Sequence, residues 1–299
     1  HQLKPASQTK EMVVPGYSKW ADYNLLIKTR LSLSVVFTSL LGYSIAAGSN
    51  MQLTALVLLG LGGFLITSAA NAINEVLEKD FDALMKRTMV RPLAAGRMKI
   101  SEAVLFAGLA CLAGVTMLAM INPITAVMGM LSFVLYAFVY TPLKRYSTIA
   151  VAIGAIPGAL PVLIGCTAAE GQITSLSTGL FAIQFLWQFP HFWSIGFLGF
   201  EDYKKAGYKL LPENNGEIDR NVGLYALLYT LLIVPVLAYL FQSGNMNVNT
   251  LMINGILTLV FAYFSFSFYR KFDRKSGLIL MFSSFFYMPL ILLISLFIK

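Results

Sequence analysis

Nine stretches of this sequence are apolar for long enough to approach or complete a crossing of a lipid bilayer, and that leaves few folds open. They run over about 31–48, 52–73, 102–120, 123–140, 149–167, 177–199, 222–241, 250–269 and 278–298. A helix needs about 20 residues to cross the hydrocarbon layer. Inside that layer no water bonds the backbone, so only helices and closed barrels survive there. The runs are rich in Leu, Ile, Phe, Gly and Ala and lack the apolar–polar alternation of membrane strands. The expected fold class is all-α, a polytopic membrane helix bundle with about nine transmembrane helices. A soluble chain would be about 25% charged, whereas this one is 12% charged and 57% hydrophobic. The first 30 residues are polar, so no cleavable signal peptide is expected in them. Residues 1–30 read as a cytoplasmic tail and an interfacial helix, with Trp20, Tyr23, Leu26 and Ile27 set among charged neighbours. Residues 31–299 read as a single transmembrane domain.

Charge predicts how such a bundle sits. With nine crossings the loops fall alternately on two sides. One side collects 21 of the 22 Lys and Arg residues, leaving Lys4, Lys10 and the later bases together and Lys299 alone opposite. Positive residues mark the cytoplasmic side. The N-terminus is therefore expected in the cytoplasm and the C-terminus outside, in a bacterial-type inner membrane. The net charge of +8 is then a topology signal; the expected partner is the bilayer, not nucleic acid. Thirteen of the 14 acids share the basic side, with Glu170 the exception. Orientation does not require acids there, so their gathering marks a working face.

The densest part of that face is 71–92, NAINEVLEKDFDALMKRTMVRP, which abuts the second apolar run. Ionisable groups at a membrane rim are costly to place and point to function. If the second helix continues to residue 82, Asn71, Asn74, Glu78 and Asp82 fall at i, i+3, i+7 and i+11 on one stripe. Like charges four residues apart oppose a helix, and a divalent cation would remove the conflict. Oxygen-only donors suit Mg2+, which bridges carboxylates to a substrate phosphate. No His or Cys lies nearby to favour zinc. The metal candidates are Asn74, Glu78 and Asp82, with Asp80 joining if the helix loosens near its end. Lys86, Arg87 and Arg91 are placed to hold phosphate oxygens by charge-assisted hydrogen bonds. As bare bases they serve equally well as orientation anchors.

Two later segments face the same side. In YTPLKR (140–145), Pro142 disfavours helix at Thr141 and turns the chain. Lys144 and Arg145 are thereby placed at the acid-bearing face, or act as two more anchors. In the sixth run, His191 and Asp202 are eleven residues apart, close to three helical turns. They share a face with Trp187, Ser194, Ile195 and Leu198 if the helix persists. Asp202 would complete the metal site or orient Lys204 or Lys205. Read alone, His191 serves equally as a hydrogen-bonded structural residue. The segments after the second and sixth runs, each acidic and then basic, suggest an internal repeat. Cys111 and Cys166 lie inside apolar runs and read as small apolar fillers.

The pattern of Asn74, Glu78, Asp80 and Asp82, followed by MKRT (85–88) and Arg91–Pro92, resembles the first aspartate-rich motif of the UbiA superfamily of intramembrane prenyltransferases. Glu78 stands where that motif often has Asp. YTPLKR resembles a loop motif of the same superfamily. FLWQFPHFWSIGFLGFEDYKKAGYKLLP (185–212) closely resembles its haem-farnesylating branch, whereas relatives acting on quinone precursors carry a second aspartate-rich motif there. The resemblance runs from about Lys28 to the last helix. It implies transfer of a farnesyl group from farnesyl diphosphate to a vinyl group of protoheme IX (haem B). Hydration then gives haem O for haem-copper oxidase assembly, with Mg2+ as cofactor and haem-handling or oxidase-assembly proteins as partners. Under this resemblance Asn74, Glu78, Asp80, Asp82, His191 and Asp202 are the catalytic candidates. Lys86, Arg87, Arg91, Lys144 and Arg145 would bind diphosphate. His191 and Trp187 would meet haem, His191 as iron ligand, propionate contact or proton carrier. Gly154, Pro157, Gly158 and Pro161 would loosen the fifth helix for a flat substrate, or be ordinary membrane-helix Gly and Pro. The alternative within the class is a prenyltransferase for an aromatic quinone precursor. Outside it stands a transporter or haem-binding assembly protein, but transporters hold polar groups near mid-membrane at broken helices.

Overall fold

A short helix, α1 (Lys19–Leu26), is the first element in the computed structural model, which describes residues 17–298. The expected tail over 1–16, with Lys4 and Lys10, lies outside the described residues, as does Lys299. Ser18 caps α1 by accepting from the Ala21 N–H. Trp20 is 78% exposed while Leu26 is fully buried, the two-sided burial of a helix lying along an interface. Lys28 then takes a left-handed conformation (φ 49°) and the chain turns into α2 (Thr29–Ala47).

The bundle continues through α3 (Leu53–Asp82), α4 (Ile100–Ile121), α5 (Pro123–Val134), α6 (Thr141–Leu143), α7 (Ala150–Glu170), α8 (Ser175–Leu198), α9 (Phe200–Lys205), α10 (Asn221–Leu231), α11 (Ile233–Gln242), α12 (Val248–Lys271) and α13 (Arg274–Phe297). Eight passages among the described residues are long and apolar enough to cross a membrane: α2, α3, α4, α5 through α6, α7, α10 through α11, α12 and α13. The ninth expected crossing is α8, which has the length at 24 residues. Its Gln184, Gln188 and His191 keep it less apolar than the others. Large side chains such as Leu105, Leu109 and Leu112 on α4 stay exposed on the outward face, as lipid contact requires.

Side-chain caps explain several starts. Asn122 caps α5, with Pro123 in the first turn. Thr174–Ser177 and Asp273–Ser276 form capping boxes on α8 and α13. Among the described residues the one strand pairing is a hairpin of β1 (Glu213–Asn214) and β2 (Glu217–Ile218). Asn215 and Gly216 both have positive φ, the backbone an Asn-Gly hairpin turn needs.

α7 is the hub: 78% of its apolar window is buried, against 28–39% for the other seven crossings. Its glycines and prolines do not loosen it, and the helix runs unbroken from Ala150 to Glu170. The glycines admit neighbours instead. A Cβ on Gly154 would lie 2.6 Å from the Tyr140 ring, one on Gly158 2.0 Å from Gln188 Oε1, and one on Gly165 1.9 Å from the Ser39 carbonyl oxygen. Pro161 has no N–H for the Pro157 carbonyl, and the Ser132 hydroxyl reaches that oxygen at 3.5 Å. Cys111 and Cys166 are buried free thiols.

Pro142 does not end its helix at Thr141 as expected. The strain is taken up one turn earlier, where Leu135–Tyr140 is wound as a π-helix. Thr141 then donates to the Tyr136 carbonyl at 2.8 Å, and the chain turns only after Leu143.

Candidate active site

At 30 residues α3 is about 45 Å long, more than the ~30 Å hydrocarbon layer, so its last turns stand at the rim. Asn71, Asn74, Glu75, Glu78 and Asp82 lie on its inward side, none more than 3% exposed. Glu75, which the single stripe passes over, belongs to this set. The buried arc is wide enough to hold 74–78–82 and 75–78–82 together. Asp80 does not join. It is exposed, because two residues on a regular helix are about 200° apart and α3 stays regular through Asp82.

Three carboxylates buried together need cations. Arg91 returns from the following loop with Nη1 2.8 Å from Asp82 Oδ2 and 3.8 Å from Glu78 Oε2, and with Nε 3.8 Å from Glu75 Oε1. The loop is tied back by Thr88, whose hydroxyl donates to the Asp82 carbonyl at 2.9 Å. Lys144, delivered by the π-helical turn, pairs with Glu78. Asn74 donates to Thr141 Oγ1 at 3.1 Å, joining α3 to the same turn. The third cation is Lys28, whose Nζ donates to Asn74 Oδ1 at 2.6 Å. Burial, reinforced by the Arg91 charge, lowers the Lys28 ammonium from its ordinary value. Sequence reading counted Lys28 only as an orientation charge; its left-handed backbone is what turns it inward.

The other expected phosphate binders sit further out. Lys86 and Arg87 are exposed. Arg87 donates to Tyr203 Oη at 3.3 Å, and Lys86 has no side-chain partner among the described residues. Arg145 donates to the Leu77 carbonyl at 3.1 Å and lies 4.0 Å over the Phe81 ring. It clamps the end of α3 and does not reach the acids.

The donor set fits a hard divalent cation. All the candidates are oxygen ligands, and both Glu75 oxygens and Asp82 Oδ1 are buried without a hydrogen-bond partner. Among the described residues no three acids converge tightly enough to hold an ion unaided. The reason is visible in the ion pairs: Arg91 reaches all three carboxylates. An ion here would need an anion that gives Arg91 and Lys144 another partner.

The chain after α8 closes over this cluster. The Lys209 N–H donates to the Lys144 carbonyl at 2.8 Å. Tyr208 is 5% exposed and its ring centroid is 5.1 Å from Lys144 Nζ. Met85, Phe81, Tyr203 and Ala206 pack around it. No periodicity marks Tyr208, since its place depends on how the loop returns. The single helix that would put Asp202 on one face with His191 does not persist: Gly199 ends α8, and Asp202 lies in the first turn of the separate helix α9. Its carboxylate makes no hydrogen bond or ion pair among the described residues.

His191 and Trp187 face α13. His191 Nδ1 is 2.8 Å from Ser284 Oγ, and Trp187 Nε1 donates to the Ser284 carbonyl at 2.9 Å. The two rings stack with centroids 4.7 Å apart, and Phe285 meets His191 edge-on at 5.2 Å. The imidazole is thereby fixed through Nδ1. A cavity of about 340 Å3 lined by Tyr43, Asn50, Gln52 and Met120 lies at the opposite rim and takes no part in the cluster.

Residues 35–290 match the model of the UbiA prenyltransferase family. A protein of Cytophaga hutchinsonii named protoheme IX farnesyltransferase is 41% identical over 278 residues, covering 92% of this chain and 96% of that protein. The solved digeranylgeranylglyceryl phosphate synthase superposes with a TM-score of 0.78 at 18% identity, over 93% of this chain and 97% of its own. A UbiA homolog from Archaeoglobus fulgidus, bound to GPP and Mg2+, gives 0.66 at 15% identity, over 92% and 99%. At these identities the solved structures show likeness of fold.

Proposed function

The chain belongs to the UbiA prenyltransferase family, in its protoheme IX farnesyltransferase branch, and from that premise we propose how it moves a farnesyl group from farnesyl diphosphate to a vinyl group of protoheme IX, giving haem O. One observation carries the reading: the partly buried Arg91 and Lys144 meet three buried carboxylates at the end of α3, with Lys28 bonded to Asn74 beside them, next to an apolar helix bundle.

An allylic diphosphate departs when its growing negative charge is stabilised. Arg91 and Lys144 are already desolvated and aimed at one place by Glu78 and Asp82, so little reorganisation is needed as that charge develops. The incoming diphosphate draws both cations from the carboxylates and releases oxygens on Glu78 and Asp82. Asn74, Glu78 and Asp82, with Glu75 beside them, would then hold Mg2+, which neutralises the leaving diphosphate as a Lewis acid. Prenyl diphosphate and Mg2+ bound to the Archaeoglobus homolog support this assignment. The farnesyl chain extends into the bundle, where water is excluded until the vinyl carbon has been alkylated. His191 and Trp187 form the haem-facing wall, with imidazole Nε2 turned to the porphyrin. Residues 31–299 act as one catalytic unit, with the N-terminus and the acid cluster on the cytoplasmic side of an inner membrane and the C-terminus outside.

Purified protein incubated with haem, farnesyl diphosphate and Mg2+ is expected to yield a porphyrin heavier by one farnesyl group and one hydroxyl by mass spectrometry, its vinyl group converted to a hydroxyethylfarnesyl side chain. Prenylated 4-hydroxybenzoate in a parallel reaction, with haem unchanged, would establish the quinone-precursor alternative instead. Replacing His191 by Ala is expected to raise the haem half-saturation point in a Soret titration by at least about tenfold, the cost of a lost buried ligand or hydrogen bond. Farnesyl diphosphate binding should stay within about twofold. An unchanged haem titration would remove His191 from the haem wall.

A further inference from the structure

Three phenols flank the charge cluster, Tyr136, Tyr140 and Tyr208, and the hydroxyls of Tyr136 and Tyr208 are provided for differently. Tyr136 Oη donates to Asn71 Oδ1 at 3.5 Å. Tyr208 Oη is buried with no hydrogen-bond partner. A buried donor left unmade is costly, and each such group in a native fold asks for an explanation. Chance placement is a poor one here, because the ring is held on several sides. Phe81 lies 6.0 Å away between centroids and Tyr203 6.3 Å, while the Lys144 ammonium sits 5.1 Å over the ring. The backbone is fastened one residue on, where the Lys209 N–H bonds the Lys144 carbonyl. Tyr208 and Lys144 are thus fixed to each other by side chain and by main chain.

Burial, and then the charges of Glu78 and Asp82, push the Tyr208 phenol well above its ordinary value. It therefore keeps its proton and is a donor. Those carboxylates are near enough to act on it, yet neither accepts a hydrogen bond from it. What the hydroxyl lacks is an acceptor; Lys144 lies over its ring and shares Glu78 with Arg91, and anionic oxygen is what those cations attract.

We propose that Tyr208 is a diphosphate-binding residue, its hydroxyl donating to a phosphate oxygen of farnesyl diphosphate seated between Arg91 and Lys144. This rests on the prenyl-transfer reading above and adds a donor from the loop after α8, a segment the acidic motif does not include. The bond strengthens as charge collects on the departing diphosphate, so Tyr208 acts on the leaving-group side of the reaction. A propionate of the porphyrin offers the same chemistry, and the experiment separates the two.

The test is Tyr208→Phe in the full-length protein, which keeps the ring and removes the hydroxyl alone. Titration with inorganic pyrophosphate plus Mg2+ is expected to show binding weakened about tenfold, and the KM for farnesyl diphosphate should rise by a similar factor. Haem affinity should be unchanged. The ligand-free variant should melt at the same temperature as the parent or higher, since a buried hydroxyl without a partner has been removed. A fall in melting temperature would show a structural role and overturn the proposal. Unchanged pyrophosphate affinity would overturn it too, and weakened haem binding alone would assign the phenol to a propionate. Haem turnover by the parent protein tests the underlying reading separately, because the pyrophosphate titration requires no turnover.

Discussion

Glu78→Gln and Asp82→Asn are each expected to leave the protein folded and to slow haem farnesylation by about a thousandfold or more. The amides match the carboxylates in shape, so packing at the end of α3 is kept. What is lost is one negative charge from a cluster that balances three carboxylates against Arg91, Lys144 and Lys28. Loss of that charge weakens cation binding directly. It also weakens the aim of Arg91, which Asp82 holds at 2.8 Å, and of Lys144, which Glu78 holds. Both the metal and the preorganised donors are therefore affected by a single atom change. Asp80→Asn is the internal control. Asp80 is exposed on the other flank of the same helix and its variant should retain activity within about twofold. Single-turnover rates with saturating haem and farnesyl diphosphate would measure all three. Normal rates in the Glu78 and Asp82 variants would remove the metal-site argument.

The reach of sequence reasoning follows the range of the interactions involved. Helical period alone placed Asn71, Asn74, Glu78 and Asp82 on one inward arc, and the structure buries all four. Glu75 was open to the same logic, at i+3 to Glu78 and i+7 to Asp82, but a one-residue-wide stripe excluded it. The shared face of His191 and Asp202 depended on one continuous helix, and the helix carrying His191 stops at Gly199. Pro142 was read for the residue before it, whereas the fold absorbs it by π-winding a turn earlier. Lys28 and Tyr208 carry no periodic signal at all. One is turned inward by a left-handed backbone, and the other by a loop pinned to Lys144. Of the two readings of the Gly and Pro residues in α7, the unbroken helix agrees with the ordinary one. Gly and Pro loosen an isolated helix, but in a packed one the missing side chains are filled by neighbours.

Gly165→Ala is expected to destabilise the protein by about 3 kcal/mol or more, at the upper end of overpacking costs, although alanine is the better helix former by about 1 kcal/mol. Which effect wins is decided by what the methyl meets. The new Cβ would lie 1.9 Å from the Ser39 carbonyl oxygen and 2.8 Å from the Tyr43 amide nitrogen. Both are backbone atoms of α2, so no rotamer change relieves the clash and α2 must move away from α7. The contact is reciprocal, since a Cβ on Gly42 would lie 2.5 Å from the Val162 carbonyl oxygen. Separating the helices also breaks the Ser39 hydroxyl bond to the Pro161 carbonyl at 2.8 Å. Gly108→Ala and Gly255→Ala give the contrast, because neither Cβ would meet anything within 4 Å. There helix propensity acts alone, and both should be neutral or more stable by up to about 1 kcal/mol. Thermal unfolding in one detergent would rank the three, and a Gly165→Ala protein as stable as the Gly255→Ala one would refute the close α2–α7 contact. The same displacement reaches the chemistry. Lys28 begins α2 and donates to Asn74, so surviving Gly165→Ala protein should bind farnesyl diphosphate more weakly than its folded fraction accounts for. That result would tie the α2–α7 contact at Gly165 to the position of Lys28 at the rim.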